Sequence, residues 1–246
     1  MVLLRVTDAV RDGLESLSEV LPDDDETLEY LVLDFVDAFW QIPLAQLEKR
    51  YFVGQHRNCY YVFNRTAQGS RNGPFAWGSL AALGARLTQS LFISGQARRG
   101  RKAYSLRMQD YVDDPLSTLR GTPSQNKRNK VVLIVSWLLM GFELAFDKSQ
   151  EGDAIDWIGF TLKLKKDRVE VTIPEDKLQE LEDLFDGVLK ANVIGEKELR
   201  SLAGKTSSIA SVIYNWRPFV SELWAAVGAQ VTDRDGALPL GCIWAK

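Results

Sequence analysis

With 246 residues, a net charge of −3, and 46% hydrophobic and 26% charged side chains, the chain has the make-up of an ordinary globular protein. That balance excludes wholesale disorder and a fibrous repeat, the net charge counts mildly against a nucleic-acid binder, and the length allows one sizeable core plus a smaller unit. The longest apolar run, residues 131–140, falls well short of the roughly 20 residues that span a bilayer and is interrupted by Ser136, so no membrane segment is expected. The N-terminal MVLLRVTDAVRDG meets Arg5, Asp8, Arg11 and Asp12 too early for a secretory signal, and the expected location is intracellular, cytoplasm or nucleus. Cys59 and Cys242 stand far apart without metal-ligand spacing and read as ordinary thiols of a reducing compartment.

Along the chain, Asp23, Asp24, Asp25 and Glu26 concentrate acid near the start. Basic residues gather in two later stretches, Arg98, Arg99, Arg101, Lys102 and Arg107, then Arg120, Lys127, Arg128 and Lys130. Such runs are either solvated faces or phosphate contacts. Residues 31–33 form an apolar run ending at Asp34, residues 60–63 (YYVF) form another, and both read as buried strands. Pro74, suited to a first helical turn, opens the helical spacing of FAWGSLAALGARLTQSLF. Residues 106–119 hold two strand-like pieces meeting at Asp113 and Asp114 as a hairpin tip. Thr122-Pro123-Ser124-Gln125 has the form of a capping box, opening a helix that Gly141 ends. IDWIGFTLKL and RVEVTI read as a strand pair before Pro174. Leu178, Leu181, Leu184, Phe185, Val188 and Leu189 mark one face of a helix, and a second helix is expected over residues 197–214. This order predicts an α+β domain followed by a helical one, with the boundary near residue 170.

Two acidic clusters leave apolar strand-like runs: Asp34 with Asp37 in LVLDFVDAF, and Asp113 with Asp114 in YVDD. If adjacent strands bring them to one sheet edge, their mutual repulsion calls for divalent cations. Magnesium takes a few carboxylates and completes its shell with water and phosphate oxygens, and a pair of such ions serves nucleotidyl transfer. The plainer alternative is that Asp113 and Asp114 form a turn and Asp34 caps the segment after it.

In chain order, LDFVDAFWQIPL resembles the first palm motif of reverse transcriptases, AQGSRNGPFAWGSL the second and YVDD the third. GFELAFDKSQ resembles the fourth, with its lysine-bearing turn, and IDWIGFTLKL the fifth, the primer-grip hairpin. LRSLAGKTSSIASVIYNWRPFVSELWAAV looks like the thumb of retroelement enzymes. The resemblance covers roughly residues 30–228. It implies an α+β fold: a polymerase palm, with a ferredoxin-like antiparallel sheet bearing helices on one face, followed by a small helical thumb. Residues 1–29 would be a divergent, truncated fingers remnant, 30–170 the palm with partial fingers, and 171–246 the thumb or connection. The implied activity is that of an RNA-directed DNA polymerase from a retroelement or retrovirus-related polyprotein. It would add dNTPs to a primer on an RNA or DNA template with two Mg2+ ions, or Mn2+ in their place.

By the same resemblance Asp34 and Asp113 are metal ligands, the Phe35 carbonyl assists, Asp114 completes the acidic cluster, and Lys148 protonates the departing pyrophosphate. Phe39 is the steric gate against a 2′-hydroxyl. Gln68 and Gly69 contact the incoming nucleotide, and Arg71 is a further phosphate contact. Tyr111 and Val112 underlie the primer terminus, while Trp157, Ile158 and Gly159 form the primer grip. Plainer readings stand beside these: Phe39 and Trp157 as core, Arg71 and Lys148 as surface charges, His56 as structural.

The pattern also departs from the family. Only 33 residues precede Asp34, and they are acidic where the family's fingers supply basic grips. Pro115 removes a ladder donor directly after Asp114. No ribonuclease H or integrase segment is recognisable, which suggests a polyprotein fragment or a decayed copy. Two rivals follow, a catalytically inactive relic or palm-fold binding protein, and an RNA-dependent RNA polymerase, against which Phe39 speaks.

Overall fold

In the computed structural model, which describes residues 5–19, 25–98, 101–191, 193–229 and 237–239, the chain opens with α1 (Val6–Glu19), an element absent from the expectations above. It buries Val6 and Ala9, and a Cβ on Gly13 would lie 3.1 Å from the Tyr30 hydroxyl, so glycine permits the close approach to β1 (Thr27–Val32). The end of β1 is buried on both faces, as expected for residues 31–33: Leu31 and Leu33 enter one core, and Tyr30 and Val32 are buried on the opposite face.

β2 (Val53–His56) and β3 (Cys59–Val62) form a ribbon whose turn residues, Arg57 and Asn58, both have positive φ, as a type I′ hairpin requires. The expectation that residues 60–63 are a buried strand is corrected here. Tyr60 is 73% exposed and Val62 56%, because the ribbon pairs only with itself, and its apolar side chains gain ladder contacts without burial. Cys59 is free and exposed. Cys242 lies outside the described residues.

α2 (Gly73–Ser90) carries Pro74 in its first turn. A hairpin of β4 (Ile93–Arg98) and β5 (Arg101–Tyr104) follows, then β6 (Leu106–Tyr111) and β7 (Asp114–Gly121), paired from Tyr111 opposite Asp114 to Leu106 opposite Leu119. α3 (Pro123–Leu139) begins with the expected capping box. The Thr122 hydroxyl accepts from the Gln125 backbone at 3.3 Å, and the Thr122 N–H donates to the Gln125 side chain at 2.9 Å. Gly141, with φ +87°, follows its end.

β8 (Gln150–Gly152) completes a four-stranded antiparallel sheet of order β6-β7-β1-β8. α2 and α3 cover one face through Trp77, Ala81, Leu133 and Trp137, which meet Leu31, Leu33, Leu106, Met108 and Leu119. α1 covers the other with charge. Arg107 reaches Glu15 at 3.1 Å and Glu19 at 2.7 Å, Arg120 reaches Glu26 at 3.3 Å, and Gln109 donates to Asp12 at 2.5 Å. Lys130 pairs with Glu29 and Glu151. The basic stretches are therefore partly ion-pair partners rather than a solvated face, Arg107 held by acids of α1, Arg120 by Glu26 and Lys130 by acids of β1 and β8. The side chains of Arg98, Arg99, Arg101 and Lys102 lie outside the described residues, as do Asp23 and Asp24.

IDWIGFTLKL folds back on itself at Ile158 and Gly159, both with positive φ, giving β9 (Ala154–Trp157) and β10 (Phe160–Leu164). With β11 (Val169–Thr172) they form three strands in the order β11-β10-β9, where a pair was expected. The helices α4 (Glu175–Ala191), α5 (Glu196–Ala210) and α6 (Arg217–Ala229) follow, with β12 (Val193–Gly195) paired to β13 (Ala237–Pro239). α5 stops short of residue 214. A 3-10 turn at Tyr214–Trp216 separates it from α6.

The chain divides into two compact units. One holds Asp8–Ile158 and Leu162–Glu170; the other holds Val171–Lys246 with Gly159–Thr161 and Arg5–Thr7. The second has its own core of Leu181, Ile194, Leu199, Leu202, Ala203, Ile209 and Leu223. Among the described residues no helix is long and apolar enough to cross a membrane.

Candidate active site

β6 and β7 meet at a turn formed by Val112 and Asp113. Val112 has φ +59°, a region unfavourable to a β-branched residue, which packing must therefore impose. Two indoles do so. Trp77 is fully buried and donates Nε1–H to the Val112 carbonyl at 2.6 Å, while Trp157 donates to the Asp114 carbonyl at 2.9 Å and meets the Tyr111 ring edge-on at 6.4 Å. Pro115 is accommodated because β1 pairs with β7 only as far as Val32 opposite Leu116. Just beyond that ladder the Pro115 carbonyl accepts from the Leu33 N–H at 3.1 Å.

Asp34 lies immediately past β1. Here the chain pairs with the segment after α3: Val36 N–H donates to Glu143 O at 2.9 Å, and Ala145 N–H to Asp34 O at 2.8 Å. The Gln41 side chain clamps both segments, donating to Val36 O at 2.6 Å and Glu143 O at 3.0 Å and accepting from Glu143 N–H at 2.9 Å. This pairing leads into the 3-10 turn Phe146–Lys148 and sets Lys148 Nζ 2.7 Å from Asp34 Oδ2. Phe35 anchors the segment, its ring 4.9 Å from that of Trp77, 5.0 Å from Trp137 and 5.5 Å from Phe142.

The carboxylates share one field. Burial pushes the Asp114 carboxyl up to about 6, with the charges of Asp113 and Asp34 adding to it and Lys148 opposing. Asp113 is raised too, first by burial and then by Asp34, against its own backbone hydrogen bond and Lys148. Lys148 is raised by its hydrogen bond to Asp34. A fourth acid, Asp110, stands at about 7, through burial and then the charges of Asp113 and Asp114.

The structure thus gathers Asp34, Asp113, Asp114 and Lys148. Phe39 is half-buried near Gly73, where a Cβ would sit 3.6 Å from its ring. Gln68, Gly69 and Arg71 are exposed on the loop before α2; Gly69 has φ +86°, and no hydrogen bond or ion pair joins Gln68 or Arg71 to the carboxylates. Trp157 is 2% exposed and Ile158 and Gly159 form the hairpin turn, while His56 is exposed on β2. Among the described residues no group of three or more His, Cys, Asp or Glu side chains is arranged to hold a metal ion.

Sequence reasoning missed Asp110 and Gln41. Strand parity held a signal for the first, since Asp110 shares the face of Leu106 and Met108, a core face where an acid is out of place. Nothing in the sequence marked Gln41.

The fold mixes helices with antiparallel sheets and, with α1 on the face opposite α2 and α3, departs from the expected placement of helices on one face only. The chain is similar to the foamy viral protease-reverse transcriptase solved in complex with an RNA/DNA hybrid (TM-score 0.52, 14% identity, 87% of this chain and 25% of that one). It is similar also to the dRH form of that protein in complex with double-stranded DNA (TM-score 0.54, 14% identity, 85% and 33%) and to a further complex with double-stranded DNA (TM-score 0.51, 14% identity, 82% and 37%). The chain therefore spans between a quarter and somewhat over a third of those proteins, and the likeness is one of fold. No protein-family model and no curated protein matches the sequence.

Proposed function

We propose that the chain is the palm and thumb of an RNA-directed DNA polymerase, transferring deoxynucleotides from dNTPs to a primer 3′-hydroxyl on an RNA or DNA template. The observation that carries this reading is the convergence of Asp34 with the Asp113-Asp114 turn in one electrostatic site beside Lys148. The fold likeness to reverse transcriptases supports it, and their capture on RNA/DNA hybrid and double-stranded DNA supports primer-template as the partner.

The donors suit a hard divalent cation, Mg2+ or Mn2+, because they are carboxylate oxygens that repel one another with one lysine to offset them. Asp34 and Asp113 would hold it, with the Phe35 carbonyl and Asp114 adjacent. Such an ion needs only one or two carboxylates, phosphate and water completing its shell, so a preformed three-ligand cage is not required. When bound, a pair of such ions supplies Lewis-acid charge at the attacking and leaving oxygens.

The chain's own residues do the rest. Lys148, protonated beside Asp34, carries a proton for the pyrophosphate oxygen. Phe39 limits space under the sugar, which excludes ribonucleotides. Gln68, Gly69 and Arg71 meet the triphosphate from the exposed loop, Gly69 through backbone unobstructed by a side chain. Tyr111 and Val112 support the primer end, and Trp157, Ile158 and Gly159 hold it.

The test is primer extension on an RNA template with Mg2+ and dNTPs. The wild-type chain extends, and Asp34→Asn and Asp113→Asn each abolish extension while retaining the wild-type circular dichroism. Extension that survives Asp113→Asn sinks the assignment. A second reading is a palm-fold nucleic-acid binder without catalysis, resting on the likeness to structures solved with RNA/DNA hybrid and double-stranded DNA; tight primer-template binding without any extension selects it.

A further inference from the structure

Lys177 stands in the first turn of α4, one turn before the buried Leu181, so its side chain leaves the helix on the side of the inward stripe. It runs to the turn between β9 and β10. There Nζ lies 5.2 Å from the centre of the Phe160 ring, and a Cβ at Gly159 would collide with it. Glycine at 159 therefore meets two demands, the φ of +78° and room for an ammonium. Lys177 is half-buried, yet among the described residues no carboxylate pairs with it. Its chain neighbours Glu175 and Asp176 are exposed and make no ion pair with it. Elsewhere on α4 and α5, Lys190, Arg200 and Lys205 each hold a carboxylate. A ring face attracts a cation without neutralising it, so the fold presents an uncompensated positive charge on this turn.

We propose that Lys177 binds a backbone phosphate of the primer strand. The inference rests on reading the turn between β9 and β10 as the primer grip, and it adds to that grip a cation from outside the hairpin. A strand laid against Gly159 meets no side chain there, so its sugar-phosphate backbone comes up to the turn and to the ammonium beside it. A lysine ammonium is a compact point charge suited to phosphate. Phe160 beneath it already limits its freedom, which lessens the entropy lost on contact. Such a contact reads charge and not bases, as extension along any template requires.

The test is fluorescence anisotropy with an end-labelled primer-template between about 0.1 and 1 M salt, in chelator so that no turnover intervenes. Lys177→Met keeps the aliphatic stem on Phe160 and removes the charge. Each phosphate contact releases about 0.9 counterion, so the variant should bind about eightfold more weakly at about 0.1 M salt and converge on the wild type near 1 M. Its slope of log K against log salt should be shallower by about 0.9. Lys177→Arg should restore the slope, and Lys190→Met, at the other end of α4, should leave it unchanged. Uncharged methylphosphonate links at the last few primer positions should weaken the wild type by the same factor and leave Lys177→Met unaffected; the wild-type arm needs no variant to fold. An unchanged slope in Lys177→Met overturns the inference, as does equal sensitivity of the two proteins to the neutral links. Binding without extension removes the polymerase reading and leaves the slope to decide on Lys177. A wild-type chain that binds no primer-template overturns both.

Discussion

Asp110 gives the most quantitative test of the site's electrostatics. Its Oδ1 is buried without a hydrogen-bond partner, and its carboxyl moves from its ordinary 3.8 to about 7, through burial first and the charges of Asp113 and Asp114 second. The folded protein therefore holds this proton at pH values where the unfolded chain has lost it. Between about pH 4 and pH 7 the folded state binds more protons, so stability is greatest at the acid end and falls by about 1.4 kcal/mol per pH unit, levelling off above 7. The whole displacement corresponds to about 4 kcal/mol. Asp110→Asn keeps the shape and removes the titration. Urea denaturation followed by tryptophan fluorescence, in chelator to exclude cations, should show the wild type losing ground to the variant by about 3 kcal/mol between about pH 4.5 and pH 8. Parallel pH curves for the two proteins would refute the argument, because they would mean that Asp110 ionises as freely in the fold as in the unfolded chain.

Three further outcomes follow from particular contacts. Gln41→Ala removes the amide that bonds Val36 and Glu143, and should cost about 0.5–1.5 kcal/mol in urea denaturation, since the bonded backbone groups are exposed and water can replace the amide. Trp77→Phe removes the donor to the Val112 carbonyl and should cost about 1–3 kcal/mol in urea denaturation by leaving that carbonyl unpaired. Phe39→Val should admit ribonucleotides in primer extension; unchanged discrimination would show that Phe39 is only a wall of the core.

The sequence made the strands around Asp34 and Asp113 legible because each is an apolar run broken by acid, and α3 legible because a capping box and Pro123 act locally. It misjudged residues 60–63, since β-propensity reports strand formation and not whether a second layer covers the strand. It missed α1 and the inward turn of Arg107 and Arg120 because those depend on acids from a distant segment, and an ion pair leaves no periodic trace. The meeting of Asp34 and Asp113 was legible only through motif order, since the geometry that achieves it is long-range. One part is the pairing of residues 34–36 with 143–145, and the other is the register of β1 against β7.

That geometry bears on how any loss of activity should be read. Carboxylates that raise one another's pKa do not assemble themselves, so the surrounding structure must hold them against repulsion. The holding groups are separate from the acids: the Trp77 and Trp157 indoles fix the turn through the Val112 and Asp114 carbonyls, and Gln41 with the Glu143–Ala145 backbone fixes Asp34. Neutralising Asp113 therefore removes repulsion without removing support. Asp113→Asn should unfold at the same or a higher urea concentration than the wild type in chelator, even as it loses extension. If the variant proves less stable instead, the acid is part of the scaffold, and its loss of activity says nothing about chemistry.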